Sequence, residues 1–332
     1  MGRIRFLSAA ALALALASCG GGDSSSGSGG STGGGTGGGS TGGGSSGGGG
    51  GSSGGTPTPT ISYTKFAELT GDRSFNTACT LIVRSGASTS APAATAFGNG
   101  LTYIFDESAD TYSITASNLN LTFAPADLAS EDAQGFRYEK ANANGGQPDT
   151  FIVFNPGITV QPTDYARVSR VITAAADGSQ EDYRCVFGVP TELEDSLPAG
   201  TVSYSQYFTT GTAFLEEVGG NLRAFNLRST ELSFAANPTD GAIDFTLTVK
   251  GTESGTATVS ELATFSGSTS IDGTNQSFDG LLADGNNVAT GSFGGWFFGP
   301  QGAEMAFAWG ADIRRDDGSR IIFAANTVGS NP

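Results

Sequence analysis

The sequence predicts an all-β protein in which an irregular β-rich handle domain precedes an eight-stranded antiparallel β-barrel. Three observations carry that prediction. After residue 60 helical periodicity is nearly absent, and short runs of Val, Ile, Thr, Tyr and Phe are punctuated by Gly, Asn and Asp. Residues 243–250 alternate strictly between apolar and polar, as a strand with one wet face requires. Glycine-containing turn clusters recur at short spacing, which suits antiparallel strands that follow one another directly.

The chain opens with Arg3 and Arg5, an apolar stretch over residues 9–17, and then Leu16-Ala17-Ser18-Cys19. A basic start, an apolar run and a small-residue cleavage site make residues 1–18 a signal peptide. The cysteine after Ala-Ser resembles a bacterial lipoprotein box, which implies lipid attachment at Cys19 and a membrane partner through that anchor. Each buried acyl CH₂ contributes about 0.8 kcal/mol, so several chains hold a domain firmly on a bilayer. No later segment approaches the ~20 apolar residues of a spanning helix.

Residues 19–60 are expected to be a disordered tether. From 20 to 55 the chain contains only Gly, Ser and Thr apart from Asp23, too little apolar surface to offset ordering entropy. Its random-coil span is ~33 Å, and Thr56-Pro57-Thr58-Pro59-Thr60 stiffens its end.

Removing the signal peptide leaves 14 basic against 32 acidic residues, a charge of −18. Such a surface repels phosphate backbones, so no nucleic-acid partner is expected. The chain has no histidine, which removes the commonest general base and metal ligand. Ser62-Tyr63-Thr64-Lys65 has the spacing of a serine β-lactamase motif without its companion motifs, and is read as coincidence. The sequence therefore predicts a non-enzyme with no catalytic residues, no metal site and no cofactor. With Cys19 lipidated, Cys79 and Cys185 remain, either as a disulfide or as two buried thiols.

Residues 61–200 form the expected handle. Thr102-Tyr103-Ile104-Phe105 and Thr111-Tyr112-Ser113-Ile114 flank residues 106–110 as a hairpin. Residues 127–133 read as a short helix or an acidic loop. Cys79 and Cys185 both lie in strand-like runs, and residues 192–200 read as a connection. Residues 201–332 form the expected barrel, with strands near 202–209, 222–234, 242–250, 262–270, 276–282, 288–298, 303–312 and 320–327. Between 223 and 234 the apolar phase slips from odd (Phe225, Leu227) to even (Leu232, Phe234), which calls for a bulge or turn near Ser229 and Thr230. The Asp-Gly-Asn clusters read as turns rather than calcium loops, because none has an EF-hand spacing.

Gly291-Ser292-Phe293-Gly294-Gly295-Trp296-Phe297-Phe298-Gly299-Pro300-Gln301-Gly302-Ala303-Glu304 is a glycine-spaced aromatic strand, a Gly-Pro reversal and a return strand. It resembles a hairpin of the transferrin-binding protein B family of surface lipoproteins, and the order of lipobox, leash, handle and barrel is similar to one lobe of that family. The resemblance implies an outer-membrane lipoprotein, lipid-anchored at the cell surface, that binds a protein or an iron-containing nutrient and serves an outer-membrane transporter. No ligand-binding residue carries across. Met305-Ala306-Phe307-Ala308-Trp309 departs from the family's glycine-rich continuation. Trp296 and Trp309 are read as core, and Tyr204 or Tyr207 as the residual candidates for a haem ligand. The alternatives are a periplasm-facing carrier, its barrel cavity lined by Phe245, Leu247, Phe293 and Phe307, and a structural or adhesive envelope protein.

Overall fold

A computed structural model describes residues 61–331 apart from Ala87, Asn144, residues 156–162, Ala176 and Asn287. The signal peptide, Cys19 and the tether lie outside the described residues. Ile61–Pro332 falls within one compact unit.

The N-terminal strands are β1 (Arg73–Asn76), β2 (Ala78–Ser85), β3 (Ser88–Thr89), β4 (Ala93–Ala94), β5 (Thr102–Asp106), β6 (Thr111–Ala116), β7 (Leu119–Phe123), β8 (Leu128–Asp132), β9 (Gly135–Lys140), β10 (Asp149–Phe154), β11 (Ala166–Ala174) and β12 (Gln180–Gly188). They form an outer sheet, β1-β5-β6-β7, and a middle sheet, β3-β2-β12-β11-β10-β9-β8, with β4 also paired to β2. The predicted hairpin is β5–β6. Its turn is closed by Asp106, whose carboxylate accepts from the Ser108 hydroxyl and the Ala109 N–H.

Residues 127–133 are neither a helix nor an acidic loop. A single 3₁₀ turn, Pro125–Asp127, leads straight into β8. Asp127 accepts the Ala124 N–H at 2.8 Å, which fixes the turn, and β9 then supplies the backbone partners that a strand needs.

The C-terminal strands are β13 (Val202–Ser203), β14 (Gln206–Glu216), β15 (Leu222–Asn226), β16 (Glu231–Asn237), β17 (Ala242–Glu253), β18 (Val259–Ser270), β19 (Ser277–Asp284), β20 (Ala289–Phe298), β21 (Glu304–Arg314) and β22 (Arg320–Ser330). The ring runs β14-β22-β21-β20-β19-β18-β17-β15 and closes by β15 pairing with β14. This is the eight-stranded antiparallel barrel expected from the sequence. β16 continues β15 along the same edge of β17, so two segments share one staff position. The break between them is the phase slip. A turn closed by the Thr230 N–H on the Leu227 carbonyl lets Phe225, Leu227, Leu232 and Phe234 all reach the interior.

Three layers result. Alternation gives the central middle-sheet strands β2, β11 and β12 two buried faces. Cys79, Phe151, Val171, Cys185 and Phe187 turn toward the outer sheet, where they join Tyr103, Phe105 and Tyr112 in an aromatic core. Ala78, Ala166, Val168 and Val186 turn the other way, onto Ala306 and Val328 of the barrel wall.

Cys79 and Cys185 sit directly opposite each other on β2 and β12 and form a disulfide across 106 residues of sequence. Closing a loop of that length removes several kcal/mol of chain entropy from the unfolded state. Replacing both cysteines by alanine should lower the unfolding free energy by about 2–5 kcal/mol in urea titration. An unchanged midpoint would show that the bridge constrains nothing.

Candidate functional surface

The barrel interior is full. Phe245, Leu247, Phe293 and Phe307 are all buried in its central cluster. Phe245 stacks on Phe234 at 5.7 Å, meets Phe293 edge-on at 4.8 Å and lies 5.1 Å from Phe307. These rings occupy the space that an apolar cargo would need, so the expected lining is instead a packed core. Trp309 belongs to that core and donates its Nε1 proton to Thr327 Oγ1 at 3.1 Å. Trp296 points outward and packs against Phe97 at 4.4 Å. Tyr204 is buried with its hydroxyl donated to the Gly302 carbonyl, and Tyr207 packs against the core edge.

The outward residues of β20–β22 are committed to the middle sheet. Glu304 heads β21, and its carboxylate accepts three consecutive backbone N–H groups, from Asp164, Tyr165 and Ala166, at 2.5, 3.1 and 2.7 Å. Asn326 donates to the Ser169 and Cys185 carbonyls. Arg184 reaches from β12 to Thr212 Oγ1 at 2.6 Å and also binds Asp182. Burial alone would raise the Asp182 carboxyl, but Arg184 and Arg170 together hold it below the usual range. Gly294 marks the closest approach: a Cβ there would stand 2.1 Å from the Thr95 carbonyl oxygen. Gly299 turns with φ 73° against the Tyr165 ring. The glycine-aromatic hairpin is thus the junction between barrel and middle sheet. Glu304 was visible in the sequence only as the head of a return strand; the signal of its role is an acid opening an otherwise apolar run.

The two ends of the barrel differ. At one end the chain enters the body and crosses to the barrel. There the Tyr63 hydroxyl accepts the Glu192 N–H, Thr191 bonds to Phe297 and Gly299, and Leu197 inserts into the barrel core. The opposite rim carries the turns at 217–221, 254–258, 285–288 and 315–319. Thr89 joins that rim through Glu216 and Arg320. Val218, Val259 and Val288 are exposed there. The aspartates of these turns cap their own backbones, Asp284 accepting from Asn286 and Val288 and Asp317 from Ser319, and Asp272 does the same for Thr274 in the β18–β19 turn at the entry end. Their oxygens are spent as turn acceptors. Among the described residues no group of three or more acids or cysteines is placed to hold a metal ion. Lys65, the lysine of the Ser-x-x-Lys spacing, pairs with Asp164 at 2.9 Å.

No protein-family model matches the sequence, and no curated protein does. Among solved structures the chain is similar to transferrin binding protein B from Haemophilus parasuis Hp5, at 14% identity and TM-score 0.44, over 77% of this chain and 44% of that one. It is also similar to the isotype 1 transferrin binding protein B from serogroup B Neisseria meningitidis, at 12% identity and TM-score 0.38, over 76% and 43% of the two chains. HpuA from Kingella denitrificans, solved in complex with human haemoglobin, matches at 12% identity and TM-score 0.36, over 82% and 89%. The present chain spans less than half the length of the two transferrin binding protein B chains.

Two outcomes follow from this geometry. Glu304→Ala strands three buried amide donors and should cost about 3 kcal/mol or more of stability. Burial holds the Glu304 carboxyl above the usual glutamate range, against the pull of those amides and of Arg167. A carboxyl raised in the folded state binds its proton more tightly there than in the unfolded chain. Its contribution is therefore fully present below the ordinary glutamate pKa and is lost as pH rises through the folded value. Urea titrations between about pH 4 and pH 7 should show wild type losing stability relative to Glu304→Gln as pH rises.

Proposed function

We propose that this chain is a non-enzymatic, lipid-anchored binding module of the outer membrane, which captures a protein or an iron-containing nutrient at the cell surface for a partner transporter. The observation that carries the reading is the contrast between the barrel ends. The chain enters the body beside the connection at residues 190–201, and the far rim presents four turns and three exposed valines. A tether joined at Ile61 leaves that rim free to meet a partner in the medium. Capture is then loop-mediated, with the barrel as a rigid platform for variable turns. Lipid attachment at Cys19 and the transporter partner rest on the lipobox, on the leash and on the resemblance of the glycine-aromatic hairpin. Because the barrel is packed with its own rings, the apolar-carrier alternative loses its cavity.

Protease treatment of intact cells tests this reading, together with mass spectrometry of the acyl group on Cys19. Digestion of residues 61–332 while the outer membrane stays sealed is the expected result, and Cys19→Ser should release the protein from the membrane fraction. Protection until the membrane is permeabilised would overturn surface capture.

A further inference from the structure

A cavity of about 240 Å³ opens at the entry end of the barrel, away from the rim of exposed turns. Its apolar lining comes from Leu193 and Leu197 of the connection, Pro238 of the β16–β17 turn and Ile271 of the β18–β19 turn. Gln276 lines it too, and this residue is unusual twice over. Its backbone is left-handed at φ 58°, a conformation that side chains other than glycine rarely adopt, and it is only 5% exposed. Its amide nitrogen donates to the Glu192 and Leu193 carbonyls at 2.8 and 3.2 Å, so the orientation of the amide is fixed. The amide oxygen that remains is buried without a protein donor.

The rim around this cavity is acidic. Glu192, Glu194, Asp195, Asp240 and Asp272 stand on the three segments that form it, and residues 189–203, 235–249 and 270–277 contain no lysine or arginine. Leu193 is 47% exposed at the mouth. The volume is smaller than the 300–1,000 Å³ typical of small-molecule sites and suits one side chain of a partner. Apolar anchor pockets of this size, ringed by complementary charge, are where protein interfaces concentrate their affinity.

We infer that this cavity is an anchor socket for a basic protein segment, which inserts one apolar side chain between Leu193 and Ile271. The inference concerns the end opposite the capture rim and does not depend on the capture reading. A partner engaged here meets the body on the side from which the chain enters.

The test is selection of a random phage-displayed peptide library against the full-length mature chain in detergent. Enriched peptides should carry an apolar residue flanked by Lys or Arg. They should bind about tenfold or more weakly to Leu193→Lys, an exposed change that leaves the core intact, and to Gln276→Asn, which tolerates the left-handed backbone but withdraws the amide that holds the Glu192 and Leu193 carbonyls in the cavity wall. Their binding should weaken with salt. Failure to enrich any peptide, enrichment without that signature, or binding indifferent to both variants would overturn the inference. Preferential filling of the cavity by a small apolar compound, with no peptide selected, would also overturn it.

Discussion

Double-sided burial of the middle sheet is the constraint from which the rest of the structure follows. A sheet covered on both faces has no wet side on which to place polar groups, so each one on β2, β11 or β12 needs a partner inside the protein. Asp182 sits between two arginines, Arg184 reaches Thr212 on the barrel, and the Ser169 and Cys185 carbonyls receive the Asn326 amide. These contacts serve orientation more than net stability, since desolvating the charges offsets much of their attraction. The apolar residues between them, Ala78, Val168, Val186, Ala306 and Val328, are small enough to bring two sheets into close register.

Much of the barrel was legible in the sequence, because its strands are amphipathic and their turns are chemically marked. Strict alternation in residues 243–250 gave face as well as position. The slip between Leu227 and Leu232 located an interruption that the fold places at residues 227–230. The junction was far less legible. Glu304, Asn326 and Gly294 act through residues more than a hundred positions away, and local periodicity carries no information about such partners. The acidic stretch at 127–133 misled for a related reason: Ser130, Glu131 and Asp132 are poor strand formers, and their conformation is set by pairing with β9.

The candidate surfaces divide between the two ends of one packed body. With aromatic rings packed inside, the open features are turns and crevices, and the connection at residues 190–201 is both a plug for the barrel and a wall of the entry-end cavity. The sequence singled out that connection only as a linker. Leu197 and Gln276 give it structure: one is driven into the core, and the other clasps its backbone from across the barrel mouth.

β22 has a consequence for how the molecule comes into being. It pairs with β14 to close the ring, and its outer residues Ile322, Ala324, Asn326 and Val328 meet the middle sheet. β22 thus completes both the cylinder and its contact with the first half of the chain. Until it arrives, β14 keeps an open edge, and Ile82 and Phe214 lack their cover. Contacts of such long sequence separation form slowly. Before that pairing forms, the folding chain carries an unsealed edge and uncovered apolar surface, so closure of the cylinder must outpace association between chains.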